Sequence, residues 1–239
     1  LYVDQMNLNN VMIEIGITPN RQDCLGVHGI ARDLAAAGMG ELKNIEIPKI
    51  KTNGTSPINI LFEEKADEKN YCPAFGSRYI KNVKNCESPQ WLKDKLNSIG
   101  LKPISALVDI TNYILFDFNR PLHVYDADKV SGNIIIRSAK KDEKFLGLDD
   151  KEYTLDKGMC VIADEKKPLG LGGILGGSSS ACDMATTNVL LESALFIPSN
   201  IANTGRKLFI DSDARYRFER GVDPNSLNVG LDRAASLIQ

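Results

Sequence analysis

Glu192 sits in the run NVLLESALF, with Val189-Leu190-Leu191 before it and an apolar stretch soon after. A carboxylate in such a buried strand costs several kcal/mol unless something pairs with it. Either it belongs to a structural ion pair, or it is an acceptor kept for a polar group on a ligand. His123 is one of two histidines in the chain and follows Arg120-Pro121-Leu122. Its ordinary pKa suits general acid–base work, while a hydrogen-bonded histidine at a turn after proline is the plainer reading. The second histidine, His28, is remote in sequence and no Cys-x-x-Cys occurs, so metal binding is not indicated. Thr111 and Asn112 interrupt the apolar run ALVDITNYILFDF. As hydrogen-bonding side chains they serve as local caps, as satisfied buried polar groups, or as ligand contacts.

Two further stretches carry candidate chemistry. PLGLGGILGGSSS holds Gly170, Gly172, Gly173, Gly176 and Gly177 but lacks the Lys-Ser/Thr ending of a phosphate loop, and Leu175 breaks G-x-G-x-x-G. Glycines at this density imply close backbone approach, either a tight sheet crossing or a pocket wall. DSDARYRFERGVDP places Arg215, Arg217 and Arg220 among Tyr216 and Phe218. That mixture suits phosphate and base contact, and the alternation equally fits a strand edge or a solvated face.

The elements that must position these residues are legible from punctuation. VMIEIGI reads as a short strand, followed by a helix in DCLGVHGIARDLAAAG with Asp23 as N-cap and Gly38 as its stop; Leu25, Ile30 and Leu34 fall near one face. FGSRYI reads as a strand. SPQWLKDKLNSIG is a helix with Ser88 as N-cap and Gly100 past its end. Ser105 caps the next helix, on which Val108, Thr111, Asn112 and Leu115 share a face. Strands are expected at NIIIRS, MCVIAD and TNVLLES, and helices in PSNIANTGRKL and LNVGLDRAASLIQ. Mixing without regular βαβ alternation makes the class α+β, mixed sheets with packed helices.

The 239 residues are 43% hydrophobic and 25% charged, with a formal net charge of -2, so no global basic field argues for a wide nucleic-acid footprint. No stretch has the length or layout of a membrane span or signal peptide. Five dispersed cysteines fit reduced thiols in a cytoplasmic protein. A first residue of Leu suggests a piece of a longer chain. Residues 1–45 are too few to close a core alone, 46–57 read as a linker, and a larger domain occupies 58–239.

ITPNRQDCLGVHGIARDLAA, LVDITNYILFDFNRPLHVYDADKV, GGILGG, TTNVLLESALF and DSDARYRFERGVDP, in that order, resemble the β subunit of bacterial phenylalanyl-tRNA synthetase. The resemblance implies that residues from about 56 onward form that family's editing module, which hydrolyses tyrosine wrongly attached to the phenylalanine tRNA. It makes the first segment the second half of an interrupted small domain. A pocket built for Phe rejects an added hydroxyl only about a hundredfold, whereas a second site that hydrogen-bonds the hydroxyl discriminates by about 10⁴ to 10⁵.

On this resemblance Glu192 meets the tyrosine phenol, and Thr111, Asn112 and His123 surround the same cavity. Gly172, Gly173 and Gly176 form its wall, and Ala214 is a small residue whose enlargement would close it. The family turn usually reads His-Ala-Phe-Asp where this chain has His123-Val124-Tyr125-Asp126, and Ser212 stands where Thr is common. Implied partners are the acceptor end of tRNA, contacted by Arg215, Arg217 and Arg220, and a catalytic α subunit in a heterotetramer. ATP and magnesium are expected only for the whole enzyme, and no cofactor for this module. The rival reading is a non-catalytic module that docks tRNA or the α subunit.

Overall fold

A computed structural model describes residues 12–47, 49–63 and 71–239. The described chain is α+β, as expected, and it stacks three layers. The central layer is a three-stranded antiparallel sheet in the order β2 (Ala74–Ile80), β10 (Val189–Leu195), β3 (His123–Asp126). Successive side chains of a strand point to opposite faces, and β10 shows the consequence. Its Val189 and Leu191 join a core with Leu107, Ile110, Ile114, Leu231, Ala234 and Ala235. Leu190 and Ala194 join a second core with Ile134, Ile136, Cys160, Ile162, Leu169 and Leu171. Because both faces are covered, β10 reads as a nearly continuous apolar run.

Helices α2 (Gln90–Ser98), α3 (Ala106–Phe118) and α6 (Ser226–Ile238) cover the first face. Gly76 lets α6 approach closely: a Cβ there would come within 2.4 Å of Leu227. Arg78, next but one along β2, pairs with Asp232 of α6. The second face packs on a five-stranded sheet ordered β1 (Ile60–Phe62), β4 (Ile134–Ser138), β7 (Cys160–Ala163), β8 (Pro168–Leu171), β9 (Leu175–Gly176). The hairpin β5 (Glu143–Leu146) and β6 (Glu152–Leu155) adds Phe145 and Leu155 to this core, and α4 (Pro198–Leu208) and α5 (Asp213–Phe218) add Ile201 and Phe218. Arg120 stitches the layers together, donating to Ser226 Oγ and to the carbonyls of Ala194 and Asp223 while fully buried.

The helix limits expected at α2, α3, α4 and α6 match within a residue or two. Gly100, at φ 80°, ends α2 with Leu101 N–H on Leu96 O and its own N–H on Asn97 O, the paired closure of a left-handed C-terminus. Caps fare less well. Ser88 is not the cap of α2; Pro89 takes that position and the Ser88 hydroxyl donates to Asp109 inside the helical layer. Ser105 holds the N-cap position of α3 without a side-chain bond, and Asp109 accepts the Ile104 N–H in its place.

The opening segment departs further. The expected strand begins at Val11, outside the described residues, and residues 12–18 are irregular, with Met12 and Ile13 exposed and no described strand paired to them. Pro19–Cys24 is a 3-10 turn, and α1 (Val27–Ala36) starts from Gly26. Asp23 is therefore not its cap; it ion-pairs with Arg21 and Arg32. Gly38, at φ 74°, does close the helix, while Leu34 stays exposed instead of sharing a buried face. Gly26 lies against the backbone of Asn119, where a Cβ would come within 2.6 Å of the amide nitrogen, so the segment docks on the end of α3.

Candidate functional site

Strand register builds the site. Glu192 pairs directly with His123 across β10 and β3, so both side chains face the five-stranded sheet, and Tyr125 shares that face two residues on. The PLGLGGILGG stretch folds into the β8–β9 hairpin opposite them, with Gly170 paired to Gly176 and Leu171 to Leu175. Both sequence readings of these glycines hold at once, since the tight crossing is also a cavity wall. At Gly173, φ is 69° and a Cβ would meet Phe196 at 2.7 Å; at Gly176 it would meet His123 Cε1 at 2.4 Å. The cavity these walls enclose measures about 80 Å³, and Glu192, His123, Tyr125, Gly172, Gly173, Gly176 and Ala214 all border it.

The electrostatics of this pocket are unusual for a core. Glu192 is buried, and burial pushes its carboxyl up to about 7, opposed by a hydrogen bond from Tyr125. The Tyr125 hydroxyl donates to Glu192 Oε2, and its phenol is held well above its ordinary range, first by burial and then by the Glu192 charge. His123 is pushed down to about 4 by burial, so its ring is neutral at pH 7. His123 Nε2 is buried and has no hydrogen-bond partner among the described residues. Its ring meets Tyr125 edge-on with centroids 4.4 Å apart. A buried imidazole nitrogen left unpaired on the strand beside a carboxyl of raised proton affinity is a site prepared for a polar ligand or water.

Thr111 and Asn112 are not part of this gathering. Both ride on α3, which lies in the helical layer across the three-stranded sheet from Glu192, and neither borders the cavity. The core stripe of α3 is Leu107, Ile110 and Ile114. Thr111 lies beside that stripe and satisfies its hydroxyl on the Val108 carbonyl at 2.7 Å, the local back-bond of a mid-helix threonine.

The arginine-rich stretch is helical, neither strand edge nor open solvated face. Ser212 caps α5 by accepting the Arg215 N–H, and pairs four residues apart join Asp213 to Arg217 and Arg215 to Glu219. Arg217 is buried, donates to Leu25 O and lies over the Phe116 ring. Arg220 stacks on Tyr216 at 3.6 Å and pairs with Glu219. All three guanidinium groups thus hold internal partners. Ser212 also donates its hydroxyl to Ile174 O at 2.7 Å, which ties α5 to the glycine hairpin.

Sequence reasoning noted Tyr125 only as a departure from the family turn. The available signal was its i+2 spacing from His123, which on a strand puts the two rings on one face.

A buried carboxyl and a neutral imidazole on paired strands, walled by a glycine hairpin, define a ligand pocket between two sheets of an α+β domain. The chain belongs to the B3/4 domain family, whose profile matches residues 71–239 and so contains every residue bordering the cavity. It is 52% identical over 98% of its length to the phenylalanine–tRNA ligase beta subunit of Brucella abortus, covering 29% of that protein. The corresponding subunit of Paramagnetospirillum magneticum is 55% identical over 95% of the chain, which covers 28% of it. The chain therefore spans under a third of the length of these curated relatives. A crystal structure of an N-terminal fragment of the phenylalanyl-tRNA synthetase beta-subunit from Pyrococcus horikoshii gives a TM-score of 0.46 at 18% identity, over 78% of this chain and 58% of that one.

Proposed function

We propose that this chain is the editing module of a phenylalanine–tRNA ligase beta subunit and hydrolyses tyrosine mischarged onto the phenylalanine tRNA. The observation that carries the reading is Glu192: a buried acceptor on the wall of a cavity, in a domain of the B3/4 family. Such an acceptor favours a ligand bearing a hydroxyl over one that lacks it. The aminoacyl ester is already activated, so a held water in the correct orientation suffices for attack on its carbonyl without a covalent nucleophile.

His123 has the wrong basicity for a strong general base, since burial has already lowered its affinity for a proton. Its role in this reading is to fix the water or the substrate amine through Nε2. Of the hairpin turn's amides, Gly172 N–H is committed to Cys160 O and Ile174 N–H to Leu171 O. Gly173 N–H, with no acceptor among the described residues, is the donor left for the developing oxyanion. Thr111 and Asn112 act at most from the neighbouring layer, and Ser212 positions the hairpin.

In the same proposal the acceptor end of the tRNA enters over this cavity, and the catalytic α subunit completes a cytoplasmic heterotetramer. ATP and magnesium serve aminoacylation there, and the module itself uses no cofactor. The three arginines are proposed to brace α5 near the acceptor end. No described helix is long and apolar enough to cross a membrane.

The test is deacylation of Tyr-tRNA, with Phe-tRNA as control, by the full enzyme with Glu192 intact and with Glu192→Ala. Loss of tyrosine-selective hydrolysis at unchanged phenylalanine charging supports the reading. Absence of any aminoacyl-tRNA hydrolysis with Glu192 intact favours the rival, a module that docks tRNA or the α subunit without chemistry.

A further inference from the structure

We infer that Tyr125 sets the selectivity of this pocket, its phenol standing in for the substrate hydroxyl at Glu192; the inference rests on the editing reading above. The register of β3 and β10 puts the two side chains on one face, and the Tyr125 hydroxyl donates to Glu192 Oε2 inside the core. Tyr125 itself is fully buried and is held edge-on by His123. Burial and the Glu192 charge hold its phenol well above its ordinary range, so it retains the proton it donates to Glu192.

A hydroxyl-reading site rejects a substrate without the hydroxyl because the buried acceptor is then left unpaired. Here Oε2 of the acceptor already has a partner. A phenylalanyl group entering the cavity finds Glu192 already bonded to Tyr125, and the penalty that would exclude it is relieved. A tyrosyl group, in turn, must share the carboxyl with Tyr125 or displace it. At this position the resembling turn carries Phe, which has the same ring and no hydroxyl.

The test compares the intact enzyme with Tyr125→Phe, measuring kcat/KM for hydrolysis of Tyr-tRNA and Phe-tRNA, with phenylalanine charging and thermal unfolding as checks of the fold. The expected result is a rise in the Tyr/Phe ratio of at least about tenfold, the scale of one buried acceptor gaining or losing its partner. Selective hydrolysis appearing only in Tyr125→Phe supports the inference in its strongest form. A ratio unchanged within about twofold, with Glu192→Ala still abolishing hydrolysis, overturns the inference and leaves the editing reading standing. Hydrolysis in neither protein overturns both.

A second measurement needs no variant. The unmodified enzyme should show a Tyr/Phe ratio well below the ~10⁴ of a site whose acceptor is left bare. A ratio at or above that value overturns the inference even if Tyr125→Phe fails to fold.

Discussion

Asp109 and Glu192, two of the domain's buried carboxyl groups, lie on opposite sides of one sheet and are built differently. Asp109 sits in the helical layer and accepts the Ser88 hydroxyl and the Ile104 N–H at 2.9 Å, with no exposed surface. Glu192 sits between the sheets with the Tyr125 hydroxyl on one oxygen, a cavity beside it, and an imidazole nitrogen nearby that bonds to nothing described. The first has its partners supplied by the loop before its own helix and by Ser88 ahead of α2, and a core arranged in that way holds elements in place. The second is under-supplied, and burial answers by raising its proton affinity. Incomplete satisfaction next to open space, more than burial itself, separates a binding group from a structural one.

Removing each group in turn should separate the two roles. Asp109→Ala orphans the buried Ser88 hydroxyl and releases the part-buried Ile104 N–H, and should cost about 3 kcal/mol. Hydrogen exchange in α3 of the full-length chain should quicken, with tyrosine selectivity unchanged. Glu192→Gln should act in the opposite sense and only with rising pH. The folded-state value of about 7 lies above the ordinary 4.5, so stability from the neutral carboxyl is fully present below pH 4.5 and fades as pH rises through 7. Glutamine escapes that loss. The variant should match the natural chain at pH 4 and gain about 3 kcal/mol over it by pH 8, read from exchange of β10 amides.

Gly173→Ala probes the same contrast from the cavity wall. At φ 69° with Phe196 2.7 Å away, a methyl group should cost about 2 kcal/mol and narrow the cavity. Unfolding temperature and deacylation should fall together. Ser212→Ala has the smallest effect, about 1 kcal/mol for the lost cap, with the hairpin loosened through Ile174. Its signature should be a higher KM for Tyr-tRNA with little change in kcat.

The frame was readable because its signals are local. Glycine stops after α1 and α2, and the continuous apolar run of β10, carry their structure in a few consecutive residues. Short strands escaped notice: β8 and β9 lie inside a glycine-rich stretch whose pairing depends on residues far away in sequence. The arginine stretch misled because charges alternating with aromatics look extended, while the Ser212 cap and the four-residue ion pairs that make it helical are subtler. In the site, Glu192 and His123 stood out as polar groups in apolar runs, and the strand register joins them. Thr111 and Asn112 stood out for the same reason, but which side of a sheet a helix covers is a tertiary fact. Tyr125 stood out only as a departure from the family turn, and its meeting with Glu192 depends on strand register.

One experiment sets the two carboxylates side by side. Tyr-tRNA and Phe-tRNA deacylation would be measured for Glu192→Ala and Asp109→Ala in the full enzyme, each with its unfolding temperature. Glu192→Ala should lose tyrosine-selective hydrolysis by about a hundredfold, worth about 2.7 kcal/mol, with the fold kept and the unfolding temperature lowered only by the unpaired Tyr125 hydroxyl. Asp109→Ala should do the reverse, with a lowered unfolding temperature and selectivity kept. Equal losses of selectivity in both variants, or none at Glu192, would contradict the division between a binding carboxyl and a structural one.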